Sequence, residues 1–257
     1  MKSLLFAMML SLASLPMMAA PLVDIDFSSE GGYDPGTLGG QLLWTTPSDA
    51  TSAAVIASGS GNPPSPVGSD QMVYLAGAAS SSTTLRNEYI FTDAPLTAPF
   101  SVDIWMMRTV ANSLRDSYFN LTSQSSPGNG AFAGFDDDRF FYQKIGNDNS
   151  LTTQTYTLNT WYRFHLEVDP AASAYNLTIY DGSDNVVVPT LSGLQFRGGN
   201  AVSSINVLRL SQLGGSSSAG LYVGSISVNV IPEPGAAAMG AMGILLVGGI
   251  AGYRRHH

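Results

Sequence analysis

Apolar and polar residues along this 257-residue chain are arranged in short alternating runs rather than in helical stripes. The clearest alternation lies at residues 100–108 and 161–169. In the first, Phe100, Val102, Ile104 and Met106 oppose Ser101, Asp103, Trp105 and Met107; in the second, Tyr162, Phe164, Leu166 and Val168 oppose Trp161, Arg163, His165 and Glu167. Successive side chains of a strand point to opposite faces, so each segment predicts a strand with one face in a core and the other toward solvent or a ligand. Further strands are expected at 22–27, 41–45, 72–76, 88–91, 117–122, 131–135, 140–145, 174–181, 202–210 and 221–230. Clusters of Gly, Asn, Asp, Ser and Pro separate these runs, the pattern of an all-β sandwich or barrel. Asp181-Gly182-Ser183-Asp184-Asn185 predicts a hairpin between 175–180 and 186–188. Residues 46–70, with only Val55 and Ile56 as strand material, and 214–219 read as irregular. No internal repeat of fixed period is present.

The two ends depart from this pattern. Residues 1–20 carry Lys2 as their only charge, then Leu4, Leu5, Phe6, Met8, Met9, Leu10, Leu12 and Leu15, then Pro16 and mostly small residues. That layout predicts an N-terminal signal helix, implying the Sec translocon and signal peptidase as partners. Cleavage after Ala19 keeps Pro21 from being the first residue past the cut. Met17 or Met18 occupies the third position back, a poor small-x-small site, so an uncleaved anchor is the alternative. Residues 231–257 hold Pro232-Glu233-Pro234, an uncharged apolar run at 236–253 and the basic tail Arg254-Arg255-His256-His257. The prolines stop the preceding strand. The apolar run is at the short limit for a transmembrane helix, and the arginines after it favour a cytoplasmic end, which places the rest across the membrane.

This ordered triplet resembles the PEP-CTERM sorting signal of Gram-negative bacteria that make extracellular polysaccharide. The resemblance implies that an exosortase, an integral-membrane transpeptidase-like enzyme, recognises Pro232, Glu233 and Pro234, with Arg254 and Arg255 as the stop. The helix would then be a transient address at the inner membrane, before release to the cell surface or matrix. A plain C-terminal anchor is the alternative.

Between the signals, residues 21–230 suffice for one sandwich domain. They keep eight of the eleven basic residues and eighteen of the nineteen acidic ones, a formal charge of about −10. Nucleic acid is disfavoured, because its binding relies on clustered Lys and Arg. Cysteine is absent, which removes thiol catalysis, zinc thiolates and disulfides.

The strand at 159–169, Asn-Thr-Trp-Tyr-Arg-Phe-His-Leu-Glu-Val-Asp, followed by Tyr175-Asn176-Leu177-Thr178-Ile179-Tyr180-Asp181, resembles the concanavalin-like and laminin-G-like jelly rolls. Asp24-Ile25-Asp26-Phe27 and residues 222–228 match their opening and closing strands. The resemblance implies a two-sheet antiparallel β-sandwich with first and last strands side by side. Many bacterial relatives have Asp-Asp or Asp-Asn where this chain has Gly224-Ser225, a departure that removes a calcium ligand.

Function rests on side-chain chemistry, not on the fold. Glycosidases need two carboxylates across one sugar bond, and jelly-roll glucanases carry them as Glu-x-Asp-x-Glu. Glu30, Glu88 and Glu167 sit in no such motif, and His165 has no Gly-x-Ser-x-Gly elbow beside it. No catalytic residue is assigned, with glycoside hydrolysis the third-ranked reading. Calcium is the one cofactor left open, at Asp136, Asp137 and Asp138, whose alternative is a solvated hairpin tip. Gly146-Asn147-Asp148-Asn149-Ser150 reads as a turn. The favoured activity is contact with extracellular polysaccharide through a sheet face bearing Asp103, Trp105, Tyr118, Tyr142, Arg163, His165 and Glu167. A purely structural surface protein is the main rival.

Overall fold

The computed structural model describes residues 21–47, 53–59, 61–76, 84–92, 94–110, 112–144, 148–198, 202–213 and 220–231. These contain β1 (Val23–Ile25), β2 (Gly36–Thr37), β3 (Trp44–Thr45), β4 (Ala54–Ala57), β5 (Gln71–Leu75), β6 (Thr84–Ile90), β7 (Phe100–Arg108) and β8 (Asn112–Ser123). They continue with β9 (Ser126–Asp137), β10 (Arg139–Lys144), β11 (Asp148–Thr155), β12 (Trp161–Asp169), β13 (Ala174–Asp181), β14 (Val186–Gln195), β15 (Val207–Leu213) and β16 (Leu221–Val230). Two antiparallel sheets result. The first has the order β14-β13-β12-β7-β16-β5-β4-β2 with β1 paired on β16; the second has the order β11-β10-β9-β8-β15-β6-β3. No described residue is helical. The signal helix at 1–20 and the sorting segment, including Pro232, Glu233, Pro234, the 236–253 run, Arg254 and Arg255, lie outside the described residues, as does 214–219.

The two strands with the clearest alternation form the centre of the first sheet. Phe100, Val102, Ile104 and Met106 of β7 and Phe164, Leu166 and Val168 of β12 are almost wholly buried. Facing them from the second sheet are Phe119, Phe135 and Phe140. The Phe164 ring meets Phe119, Phe135 and Phe140 with centroids 5.8, 5.3 and 5.9 Å apart and steep interplanar angles, the edge-on geometry that ring quadrupoles favour. Buried Tyr175 ties the sheets, its hydroxyl lying 3.0 Å from the Phe132 carbonyl and 2.7 Å from that of Gln143.

The first and last strands do lie side by side, with Val23, Asp24 and Ile25 opposite Val228, Ser227 and Ile226. Along the same side of β16, Leu221, Tyr222 and Val223 pair with β5. The core-facing residues are Leu221 and Val223, then Ile226 and Val228, so the inward phase changes across Gly224-Ser225, where β16 passes from one neighbour to the other.

Several elements differ from expectation. β11 was expected as turn and loop, yet Asp148, Asn149 and Ser150 pair with Lys144, Gln143 and Tyr142; a polar edge strand has no apolar alternation to reveal it. β2 is two residues long, and β14 runs on from Val188 to Gln195 through Pro189 and Gly193 at a sheet edge, where proline and glycine are tolerated. The strand expected from Val202 begins at Val207, because Ile205 forms only an isolated bridge to Leu96.

Candidate functional site

On the outward face of the first sheet, strand register builds three cross-strand rows. Trp105, Arg163 and Tyr180 form one, Asp103, His165 and Thr178 the next, and Ser101, Glu167 and Asn176 the third. Directly opposed side chains interact across a sheet, and here the charges and rings mesh. The Arg163 guanidinium lies 4.2 Å from the Tyr180 ring centroid and 6.0 Å from that of Trp105. Its Nη1 donates to Asp103 Oδ1 at 2.8 Å and its Nη2 to Asp184 Oδ1 at 2.8 Å. Asp103 Oδ1 also meets His165 Nδ1 at 3.0 Å, and Asn176 Nδ2 donates to Glu167 Oε2 at 3.0 Å.

The 181–185 turn delivers Asp184. Asp181 Oδ1 accepts from the backbone amides of Ser183 and Asn185 at 2.8 and 3.0 Å, a side-chain turn of the kind Asp favours. Asp184 itself adopts φ of 60°, and its carboxylate reaches back to Arg163. Electrostatics follow from this wiring. The hydrogen bond and charge of Asp103 raise the His165 pKa above its ordinary value, against partial burial. Burial pushes the Asp103 carboxyl up, but hydrogen bonds and charge from His165 and Arg163 outweigh it and hold the group below its usual range.

Five of the seven expected residues are therefore brought together: Asp103, Trp105, Arg163, His165 and Glu167. Tyr118 and Tyr142 are not, because β8 and β10 belong to the second sheet. Alternation gives the phase within a strand but not the sheet that the strand joins. Tyr118 is on that sheet's outer face, its ring 5.8 Å from Phe132 and 6.1 Å from Phe141. Tyr142 packs against the core and lines a groove of about 290 Å³ between the edge strands β11 and β14, with Leu151, Thr152, Pro189 and Leu191. The run Arg139-Phe140-Phe141-Tyr142 has no alternation from which to phase it.

The Asp136-Asp137-Asp138 stretch forms the β9–β10 hairpin tip. Asp136 pairs in register with Arg139 and is buried, while Asp138 meets Arg139 Nε at 3.5 Å. The Tyr156 hydroxyl donates to the Asp137 carbonyl, and the Tyr156 amide donates to that of Asp138 at 3.2 Å. Among the described residues no group of three or more His, Cys, Asp or Glu has metal-binding geometry. At Gly224, a Cβ would stand 2.5 Å from Pro66 Cδ and Cγ and 3.3 Å from the Trp161 ring. Trp161 Nε1 donates to the Pro64 carbonyl at 2.9 Å, so the proline-bearing segment occupies the space beside β16 where an acidic side chain would project.

A second polar cluster, not anticipated, lies on the outer face of the second sheet. Arg86, Ser211 and Tyr118 form one cross-strand row, and Glu88, Arg209, Asn120 and Phe132 the next. Arg209 Nε and Nη2 both donate to Glu88 Oε1, at 2.8 and 2.5 Å. Asn120 is fully buried with neither amide atom hydrogen-bonded, and the Ser211 hydroxyl is likewise buried without a partner. The sequence signal was the alternation of Tyr118, Asn120 and Thr122 with Phe119 and Leu121.

No protein-family model matches the chain, and no curated protein sequence matches it. Solved structures do. The cellulose-induced protein Cip1 superposes with a TM-score of 0.53 at 11% identity, over 80% of this chain and 96% of its own. A sialidase gives 0.51 at 12% identity, over 84% of this chain and 19% of its own. The binding domain of botulinum neurotoxin serotype G gives 0.50 at 11% identity, over 87% and 51%. What they share is the jelly-roll β-sandwich. This chain spans about half of the botulinum domain's length and a fifth of the sialidase's, and at such identity the likeness is one of fold.

Proposed function

We propose that the protein is an exported, non-catalytic surface or matrix component whose sandwich contacts extracellular polysaccharide through the β7–β12–β13 face. The carrying observation is the row Trp105–Arg163–Tyr180, in which two rings flank a guanidinium held by Asp103 and Asp184. Rings give sugar faces an apolar surface, and a preformed polar network beside them costs little ordering when a ligand arrives. Asp103, whose carboxyl is held below its ordinary pKa, does not fit the general-acid half of a glycosidase pair. Export and sorting by an exosortase-type enzyme are supported by the layout of residues 1–20 and of Pro232-Glu233-Pro234 through Arg254-Arg255.

The test is equilibrium binding of residues 20–230 to a panel of polysaccharides, including the host's own exopolysaccharide, with and without chelator. Saturable binding that weakens about tenfold in Trp105→Ala, roughly 1.4 kcal/mol, supports the reading. No binding to any polymer supports the purely structural alternative, and release of reducing sugar returns the domain to the hydrolases.

A further inference from the structure

We infer a second binding site, on the outer face of the opposite sheet, for a single uncharged pyranose ring. For its ligand class, this inference rests on the glycan-contact reading above. Its geometry rests on different residues.

A depression of about 290 Å³ opens on the outer face of the second sheet, lined by Glu88, Thr122, Ser123, Gln124, Val207 and Arg209. That volume is at the small end of ligand pockets, room for one six-membered ring rather than a chain. Beside it in register, next to Arg209 on β15, is Asn120 of β8, and on the adjoining row is Ser211. Asn120 Nδ2, Asn120 Oδ1 and Ser211 Oγ are all buried, and none has a hydrogen-bond partner. Buried polar groups in native proteins are nearly always paired. Three unpaired atoms side by side, next to a polar depression, mark groups whose partner is supplied from outside the chain.

The chemistry of the set selects the ligand. A primary amide presents two N–H donors and a carbonyl acceptor, and a hydroxyl both donates and accepts, which matches adjacent sugar hydroxyls that do both. Glu88 lines the depression as a carboxylate whose Oε1 is already held by Arg209, so the cation beside it is committed and an anionic ligand gains no free partner there. Arg209, only 11% exposed along its side chain, both lines the depression and is the cross-strand neighbour of Asn120. A ring entering the depression and drawing Arg209 toward it uncovers the amide.

The test uses Asn120→Leu, which keeps the shape of the side chain and removes its polar atoms, with Ser211→Ala as the second variant should the first misfold. Saturation-transfer NMR would follow glucose, galactose, mannose and N-acetylglucosamine against the wild-type domain and each variant, alongside thermal melts. The expected result is binding of at least one sugar to the wild type and a loss of about tenfold or more in either variant, with Asn120→Leu melting no lower than wild type because it removes unpaired buried atoms. Equal sugar binding by wild type and variants, or no binding of any of the four, overturns the inference. Either result leaves the polysaccharide reading standing if the panel binds through Trp105, so the two fail separately.

Discussion

Replacing Gly224 by Asp restores the acidic residue that the jelly-roll resemblance places at this strand, and the structure predicts damage rather than a calcium site. The new Cβ would lie 2.5 Å from two carbons of the Pro66 ring and 3.3 Å from the Trp161 ring. Proline cannot yield by rotamer, so either the core strand shifts or the segment around Pro66 lifts away. The first is overpacking, at about 1–3 kcal/mol. The second gives up the Trp161 Nε1 bond to the Pro64 carbonyl, about 0.5–1.5 kcal/mol, and uncovers the satellite cluster of Met72, Met107 and Tyr222, against which Trp161 packs. The cheaper route sets the loss, so the expected destabilisation is about 1–3 kcal/mol. For a domain of this size that lowers Tm by roughly 2–12 °C. Thermal melts with calcium and with chelator measure it, and Trp161 fluorescence reports whether the segment lifts. An unchanged Tm, or a variant stabilised by calcium, would refute the reasoning.

Two further outcomes are expected. In an NMR titration the His165 pKa stands above its ordinary value, and Asp103→Asn lowers it; equal values in both proteins would dissolve the proposed coupling. A raised His contributes stability below its unfolded pKa and loses it as pH rises through the folded value, whereas a depressed Asp contributes above its unfolded pKa and loses it as pH falls. The pair therefore stabilises most between about pH 4 and 6.5, the two unfolded values. Tyr175→Phe removes the hydroxyl shared between the Phe132 and Gln143 carbonyls and costs about 1–3 kcal/mol; in urea the midpoint falls with an unchanged m-value, and an unmoved midpoint would show that this inter-sheet tie contributes nothing.

Sequence legibility followed burial. β7, β12, β13 and β16 match their expected bounds: β12 alternates cleanly between core and outside, β7 does so for all but Met107 and β13 for all but Thr178, and β16 alternates in two stretches of opposite phase either side of Gly224-Ser225. Glu167, His165 and Arg163 were phased correctly for the same reason. β11 was lost because an edge strand of Thr, Gln and Asn packs too little apolar surface to leave a period. Tyr118 and Tyr142 failed differently: sheet membership is decided by long-range pairing, which a local pattern does not encode. The Asn120–Ser211 cluster needed the same pairing, since 91 positions separate its two residues in the sequence and only the β8–β15 register joins them.

The pairing of β1 with the far half of β16 determines how the domain responds to load. The chain enters at Val23 and leaves beyond Val228 at one corner of the first sheet, joined by the Leu22 amide to the Val228 carbonyl at 2.8 Å. Tension applied between these two points would peel β1 away one hydrogen bond at a time, the weak direction for a strand pair. Tension drawn out through Val230 against a ligand held on the sheet face is directed along β16, flanked by β7 on one side and by β5 and β1 on the other. That strand can slide only by breaking its ladders together, so a domain tethered through its last strand meets drag in shear, its stronger direction.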